Sequence, residues 1–444
     1  VTSYAVCADV GSTFTKVAVV DLASGALLGA GSAPTTVGTD VLHGLDAAVA
    51  STGVPTAGAR WYVCSSAGGG LRLAVLGYEE LVTAQAGQRV GLSAGARVVH
   101  VGAGRLDRAG LTAVRAARPD VVLLVGGTDG GDAEVLRHNA GVLARARFRV
   151  PVVVAGNRDA RDEVLGTLAD RGVPVTGADN VLPRIGVLAP ASAREAIRSV
   201  FLRHVIGGKR LSRGDRFTSL VRAATPDAVL SGVEVLAGHT GGDLLVVDVG
   251  GATTDVYSVL TPDERATGPG APAAGVAWRD RTVEGDLGVR WSAPGVVEAA
   301  VRQRLVPAQE ADALAAAARA RAADPGFVPV TDAEVAVDRR LAGLAAVLAV
   351  RRHALGGLVR RDLRDVRLLV GSGGVLRHAG GLRGAAVVGP VLTDHAGGWP
   401  VPRSARVLVD TAYVLAAGGL LAAEHPAAAV GLLAGHLGGG DTPG

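Results

Sequence analysis

Methionine is absent from the 444 residues, lysine occurs only as Lys16 and Lys209, and aromatic residues make up just 3%. The first two shortages share one cause, a GC-rich coding bias that favours arginine over lysine. On that reading Val1 stands for a valine-type start codon, translated as methionine. The arginine excess is then mutational. It raises the pI to about 9.4 with a net charge of only +4, which is no nucleic-acid footprint. Cysteine is scarce too. Cys7 and Cys64 both stand in apolar strand contexts, which excludes a disulfide framework and a zinc site. Long apolar runs are missing despite a mean hydropathy of +0.33. The longest candidate, Val414 to Leu433, is broken by Glu424-His425-Pro426, short of the roughly eighteen residues a span needs. Asp9 interrupts the first apolar run, so no secretory signal core is read there. The expectation is a cytoplasmic, soluble protein with no nucleic-acid and no membrane partner. Hydrophobic residues at 48% and charged residues at 19% are a globular composition, and the length implies two or three domains.

Two short stretches are close to repeats of each other. Asp9-Val10-Gly11-Ser12-Thr13-Phe14-Thr15-Lys16 and Asp248-Val249-Gly250-Gly251-Ala252-Thr253-Thr254-Asp255 each follow an apolar run. Each leads into a second strand, Val17 to Val20 and Val256 to Val259. Glycine lets a turn come close to a ligand and turns N–H groups toward an anion. Hydroxyls donate to phosphate oxygens, and an aspartate beside a polyphosphate works through a divalent cation. One such turn is equally well a tight hairpin. Two of them, half a chain apart, suggest two related half-domains clamping one nucleotide, with Asp9 and Asp248 as the metal-binding carboxylates.

Elsewhere, Tyr4 to Ala8, Thr15 to Val20 and Leu27 to Ala33 read as a strand meander, followed by a helix over Asp40 to Ala50 and a strand at Tyr62 to Ser65. Ser65 to Arg72 reads as a glycine turn. From Val98 to Ile185 short buried strands alternate with helices, as in a parallel sheet covered on both faces. Thr261 to Gly275 reads as a loop. Pro294 to Arg321 and Thr331 to His353 read as long helices with caps at or near Ser292 and Thr331. The expected division is a first half over 1–97, an inserted α/β region over 98–205, a second half over 206–437, and a disordered tail over 438–444.

In order, the chain presents a DxGST-type turn, the turn Gly126-Gly127-Thr128-Asp129, a DxGGxTTD-type turn, Gly371-Ser372-Gly373-Gly374, and a small-residue helix with Asp410, Ala417, Gly418 and Gly419. This resembles the actin, sugar-kinase and heat-shock-chaperone ATPase superfamily. The resemblance implies an α/β fold of two ribonuclease-H-like halves, with ATP and Mg2+ as cofactors. Gly11, Ser12, Thr13 and Lys16 would form the first phosphate loop, and Gly250, Gly251, Thr253 and Thr254 the second. Gly371, Ser372, Gly373 and Gly374 would contact adenosine. Gly126 to Asp129 and the late helix would be crossing elements between the halves. Cys64-Ser65-Ser66 through Arg72, Gly126 to Gly131, Val153-Val154-Ala155-Gly156-Asn157 and Arg281 to Gly288 further resemble the glutamate mutase accessory family. That family implies an ATPase that reactivates an adenosylcobalamin-dependent carbon-skeleton mutase by letting damaged cobalamin leave, with the mutase subunits as partners.

Beside these stand simpler readings. Asp9 and Asp248 could cap their own turns, and Lys16 could be a solvated strand-end residue. Asp129 either polarises an attacking water, as a third catalytic group with Asp9 and Asp248, or caps the helix beginning near Asp132. Ser65, Ser66 and Gly68 to Gly70 touch a ligand or form a structural turn. Glu284 and Asp286 fix water or magnesium, or are surface charges. Arg72 and Arg281 share that ambiguity, and His353, His378 and His395 lack metal-ligand spacing. The competing functions are a small-molecule kinase with Asp129 as base, an iron–sulfur dehydratase activator, and an actin-type filament. Cys7, inside the first strand, is badly placed for the second of these.

Overall fold

The computed structural model describes residues 3–67, 71–78, 87, 90–91, 96–185, 187–206, 211–261, 278–355 and 361–438. Gly68 to Gly70, most of the loop over 261–275 and the tail from residue 439 lie outside them. By internal contacts the chain forms two units. The first takes in residues 1–20, 28–230 and 262–276, and the second 21–27, 231–261 and 277–444.

The first unit begins with β1 (Tyr4–Val10), β2 (Phe14–Asp21) and β3 (Leu27–Pro34), joined as a meander. Helix α1 (Val41–Ala50) follows, its first turn capped by the Asp40 carboxylate, which accepts from the Leu42 amide at 2.9 Å. β4 (Arg60–Ser65) then pairs parallel with β1. β1 is buried along almost its whole length, as expected for a strand inside a sheet covered on both faces. β3, at the sheet edge, alternates half-buried and exposed positions.

A second sheet interrupts this one. It contains β5 (Arg72–Gly77), β6 (Arg97–Ala103), β7 (Val121–Leu124), β8 (Val152–Val154) and β9 (Val175–Gly177). Between or after them come α2 (Arg108–Ala116), α3 (Glu134–Arg145), α4 (Arg161–Ala169) and α5 (Ala191–Val200). The strand order is β6-β5-β7-β8-β9 and every pairing is parallel, a doubly wound layout. Its first strand, β5, lies ahead of residue 98, where the sequence alternation starts. Its apolar run of five residues, Leu73 to Gly77, beside a glycine cluster carries no period of its own. The two faces of β5 enter different cores. Leu73 and Val75 join Val6 and Val63 of the first sheet, while Ala74 and Leu76 pack with Leu136 and Leu143 of α3.

After α6 (Arg216–Leu220), β10 (Val221–Ala224) returns beside β4 and completes the order β10-β4-β1-β2-β3. The next helix, α7 (Thr225–Thr240), begins in the first unit and ends in the second.

The second unit repeats the plan. β11 (Leu244–Val249), β12 (Thr254–Leu260) and β13 (Trp278–Glu284) pair antiparallel in succession. α8 (Ala293–Arg302), α9 (Ala308–Ala323) and α10 (Asp332–Leu355) precede β14 (Leu368–Ser372), which pairs parallel with β11. α11 (Gly374–Ala379), α12 (Gly381–Val388), β15 (Arg406–Val409), α13 (Val414–Leu421) and α14 (Pro426–Leu437) complete the unit. Its sheet order, β13-β12-β11-β14-β15, matches that of the first sheet strand for strand. α10 is buried on every side from Leu341 to Val350, as a helix at the centre of a core must be. Its start is a capping box in which the Thr331 amide reaches Glu334 Oε2 and the Glu334 amide reaches Thr331 Oγ1. The chain has an α/β fold of two ribonuclease-H-like, actin-type halves with an inserted α/β region.

Candidate functional site

The hairpin turns that follow β1 and β11 are built alike. The Gly11 amide bonds to the Phe14 carbonyl at 3.1 Å, and the Gly250 amide to the Thr253 carbonyl at 2.9 Å. A Cβ on Gly11 would lie 2.7 Å from the Phe14 oxygen, and one on Gly250 would lie 2.9 Å from the Thr253 oxygen. Only glycine closes either turn without moving the backbone. The residue directly after each of these carbonyls is buried, with its hydroxyl occupied. Thr15 bonds to the Thr35 hydroxyl at 3.0 Å, and Thr254 donates to the Leu287 carbonyl. Period-2 alternation turns these two threonines inward, so the Thr254 hydroxyl is committed to the backbone. Ser12 and Thr13 of the first turn are exposed.

The charge differs between the turns. Asp9 is 8% exposed. Its Oδ2 faces Lys16 Nζ at 3.5 Å, and its Oδ1 accepts from Thr225 Oγ1 at 2.6 Å and from Cys64 Sγ at 3.7 Å. Burial, with the Asp9 carboxylate adding to it, holds the Cys64 thiol well above its usual range, and burial does the same for Cys7. Burial thus favours the neutral thiol at both cysteines. In the second turn the position matching Lys16 is Asp255, which pairs directly across the ladder with Asp248. Asp255 Oδ1 accepts from Arg281 Nη2 at 2.5 Å and from Nε at 3.0 Å, while Oδ2 accepts from Thr253 Oγ1 at 3.1 Å. Arg281 lies over the Tyr257 ring at 5.5 Å. It is the counter-ion of this carboxylate, a role its place in the sequence does not disclose.

The second turn is also braced from behind. The Val289 amide bonds to the Gly250 carbonyl at 3.0 Å, and the Arg290 amide to the Gly251 carbonyl at 2.8 Å. Ser292 Oγ donates to the Ala252 carbonyl at 2.7 Å. Ser292 thus stands at the N-cap of α8 but caps nothing with its side chain, because its hydroxyl serves the turn. Glu284 and Asp286 both bind Arg352 of α10, at 2.8 Å and at 2.6 and 2.9 Å. Burial pushes Glu284 up, whereas the hydrogen bonds from Arg352 hold Asp286 below its usual range. Those carboxylates are tied to a helix. Arg72 is structural as well, its guanidinium donating to the Ala117 and Arg118 carbonyls after α2.

Beside each turn lies the end of the neighbouring parallel strand. Ser65 Oγ and the Ser66 amide both donate to the Val10 carbonyl, at 3.2 and 3.0 Å. In the second unit Ser372 is the ladder partner of Asp248, and Gly373 lies against the Val249 backbone. Gly371, Ser372, Gly373 and Gly374 are thereby brought to the second turn. Asp410 accepts from the Val414 and Leu415 amides at 2.9 and 3.1 Å, capping α13. Asp129 belongs elsewhere. It follows β7 in the inserted sheet, and its Oδ1 accepts from the Arg158 amide and from Asn180 Nδ2, both at 2.9 Å. These bonds fasten the loops after β7, β8 and β9 to one another.

Among the described residues no group of three or more His, Cys, Asp or Glu side chains could hold a metal. One carboxylate per turn still suits Mg2+, which takes one or two carboxylates beside substrate phosphates and keeps water for the rest. No helix among these residues is long and apolar enough to cross a membrane.

Solved structures that align with the chain include the xylulose kinase of Bifidobacterium adolescentis, at 13% identity and a TM-score of 0.33, covering 98% of this chain and 93% of that one. Component A of the Acidaminococcus fermentans (R)-2-hydroxyglutaryl-CoA dehydratase aligns at 8% identity and a TM-score of 0.33, covering 96% and 100%. Nucleotide-free acetone carboxylase aligns at 16% identity and a TM-score of 0.39, covering 95% and 71%. Protein MutL of Clostridium tetanomorphum is 33% identical over 458 residues, which span 97% of this chain and 98% of the relative. A family model described as MutL protein matches residues 5–437, and the chain belongs to that family.

Proposed function

We propose that this protein is an ATP-dependent reactivating factor for an adenosylcobalamin-dependent carbon-skeleton mutase of the glutamate mutase type. The observation that carries the nucleotide part is the repeated turn. Two strand ends of matching topology each present an aspartate, and each closes over a glycine whose Cβ would strike the backbone. Gly11, Ser12, Thr13 and Lys16 at the first turn, and Gly250, Gly251 and Thr253 at the second, are the groups to hold phosphate oxygens. Asp9 and Asp248 are the carboxylates for Mg2+, and Gly371 to Gly374 are the segment for the adenosine. Bound MgATP would supply a phosphoanhydride and the charge that neutralises its cleavage. Lys16 brings a compact cation to that charge, suited to a single phosphate oxygen where a forked guanidinium is not.

The client part rests on family membership and on the accessory-family motifs, such as Arg281 to Gly288. Nucleotide turnover acts on a client only where the client binds the two nucleotide states differently. A small-molecule kinase is the weaker reading, because its only candidate base, Asp129, has an oxygen committed to Arg158 and Asn180.

The test is MgATP hydrolysis with and without the mutase encoded nearest this gene, after that mutase has been inactivated by turnover. Restored mutase activity that needs both ATP and fresh adenosylcobalamin supports the proposal. Hydrolysis without rescue discards that client, and absence of any MgATP binding discards the nucleotide reading.

A further inference from the structure

The Asp9 carboxylate is asymmetric. Its Oδ2 faces the Lys16 ammonium, while Oδ1 is held by Cys64 of the neighbouring β4 and by Thr225, directly after β10. Of those two, Cys64 Sγ lies at 3.7 Å, and a thiol is a weak donor. The Thr225 hydroxyl, at 2.6 Å, is the strong one.

Thr225 comes 216 positions after Asp9 in the chain, directly after β10, as the first residue of α7. A threonine at the start of a helix ordinarily turns its hydroxyl to the amides of its own first turn. The second unit shows that arrangement at the matching place. Asp410, directly after β15, accepts from the amides of Val414 and Leu415 and caps α13. In the first unit the hydroxyl instead reaches across β4 to Asp9.

We infer that Thr225 is a positioning residue for Asp9, fixing which carboxylate oxygen turns toward Lys16 and toward a bound divalent cation. The inference rests on the nucleotide reading proposed above. With its Oδ1 hydrogen-bonded to Thr225, Asp9 presents a single oxygen in one orientation, as a metal-binding carboxylate requires of the groups around it. The bond also fastens the first turn of α7 to the turn after β1, and α7 is the helix along which the chain passes from one unit to the other.

The experiment compares wild type with Thr225→Val, which keeps the shape and loses the hydroxyl, and with Thr225→Ser, which keeps the hydroxyl. Each is measured for melting temperature, kcat of ATP hydrolysis and the Mg2+ concentration giving half-maximal rate. Expected for Thr225→Val is a kcat about tenfold lower and a clearly raised Mg2+ requirement in a protein that still melts cooperatively. Thr225→Ser should stay within about twofold of wild type on both counts. An unchanged Mg2+ requirement in Thr225→Val, with wild type active, overturns the inference and leaves the nucleotide reading standing. Equal impairment of both variants overturns it as well, since that marks packing and not the hydroxyl. A wild type that neither binds nor hydrolyses MgATP removes the nucleotide reading, and the inference falls with it.

Discussion

At the scale of single residues, the two turns share geometry and differ in charge. Lys16 sits beside Asp9, but Asp255 sits beside Asp248 and needs Arg281 to balance it. Arg281 is 4% exposed, and breaking a buried pair from one side costs about 3–5 kcal/mol. Arg281→Met should therefore lower the urea midpoint strongly, and adding Asp255→Asn should recover most of the loss. Additive losses would show that the two side chains are not coupled. His353 is fully buried between the Thr282 and Ser258 hydroxyls at 2.9 Å each. Burial, reinforced by the Arg361 charge, pushes it well below its ordinary 6.5. Below that pH the unfolded chain binds a proton that the folded one refuses. Stability should thus be intact above pH 6.5 and fall below it, by up to about 1.4 kcal/mol per pH unit from this group. His353→Gln should flatten that slope, and an unchanged slope would contradict the assignment. The aspartates and glycines of the turns were legible in the sequence because each motif is local. Arg281 as counter-ion and Thr225 as donor were not, since each reaches its carboxylate only through sheet pairing.

At the scale of elements, legibility followed periodicity. The capping box at Thr331 and the helix after it can be read directly, because the pattern lies within four residues. Ser292 looks like the same kind of cap, yet its hydroxyl is drawn to the Ala252 carbonyl by tertiary contact. Pro294 to Arg321 reads as one helix, but Leu305 and Pro307 lie between α8 and α9, and proline cannot continue a helix interior. Within the second unit α7 and α13 pack backbone to backbone. A Cβ on Gly232 would lie 2.0 Å from the Leu415 carbonyl oxygen. Gly232→Ala should consequently destabilise by about 1–3 kcal/mol, the usual range for overpacking, despite alanine being the better helix former. A urea midpoint equal to or above that of wild type would show that this contact relaxes at no cost.

At the scale of the whole molecule, the repeated strand order is what gives the two motifs common meaning. A DxG turn after a strand is commonplace. Two of them on the central strands of two sheets with identical order are a duplicated device. The inserted sheet was visible as strand–helix alternation, though β5 was not, and its loop residue Asp129 turned out to serve the sheet's own architecture. A ligand that binds only the folded state at one hundred times its dissociation constant should add about 2.7 kcal/mol of stability. MgATP should accordingly raise the melting temperature of the wild type. Nucleotide binding at the paired turns is tested most directly by calorimetric titration of MgATP into wild type, Asp9→Asn and Asp248→Asn. Saturable binding to the wild type is expected, weakened by either substitution by at least about tenfold, close to 1.4 kcal/mol, with both variants still cooperatively folded. Undiminished binding in both variants would contradict it.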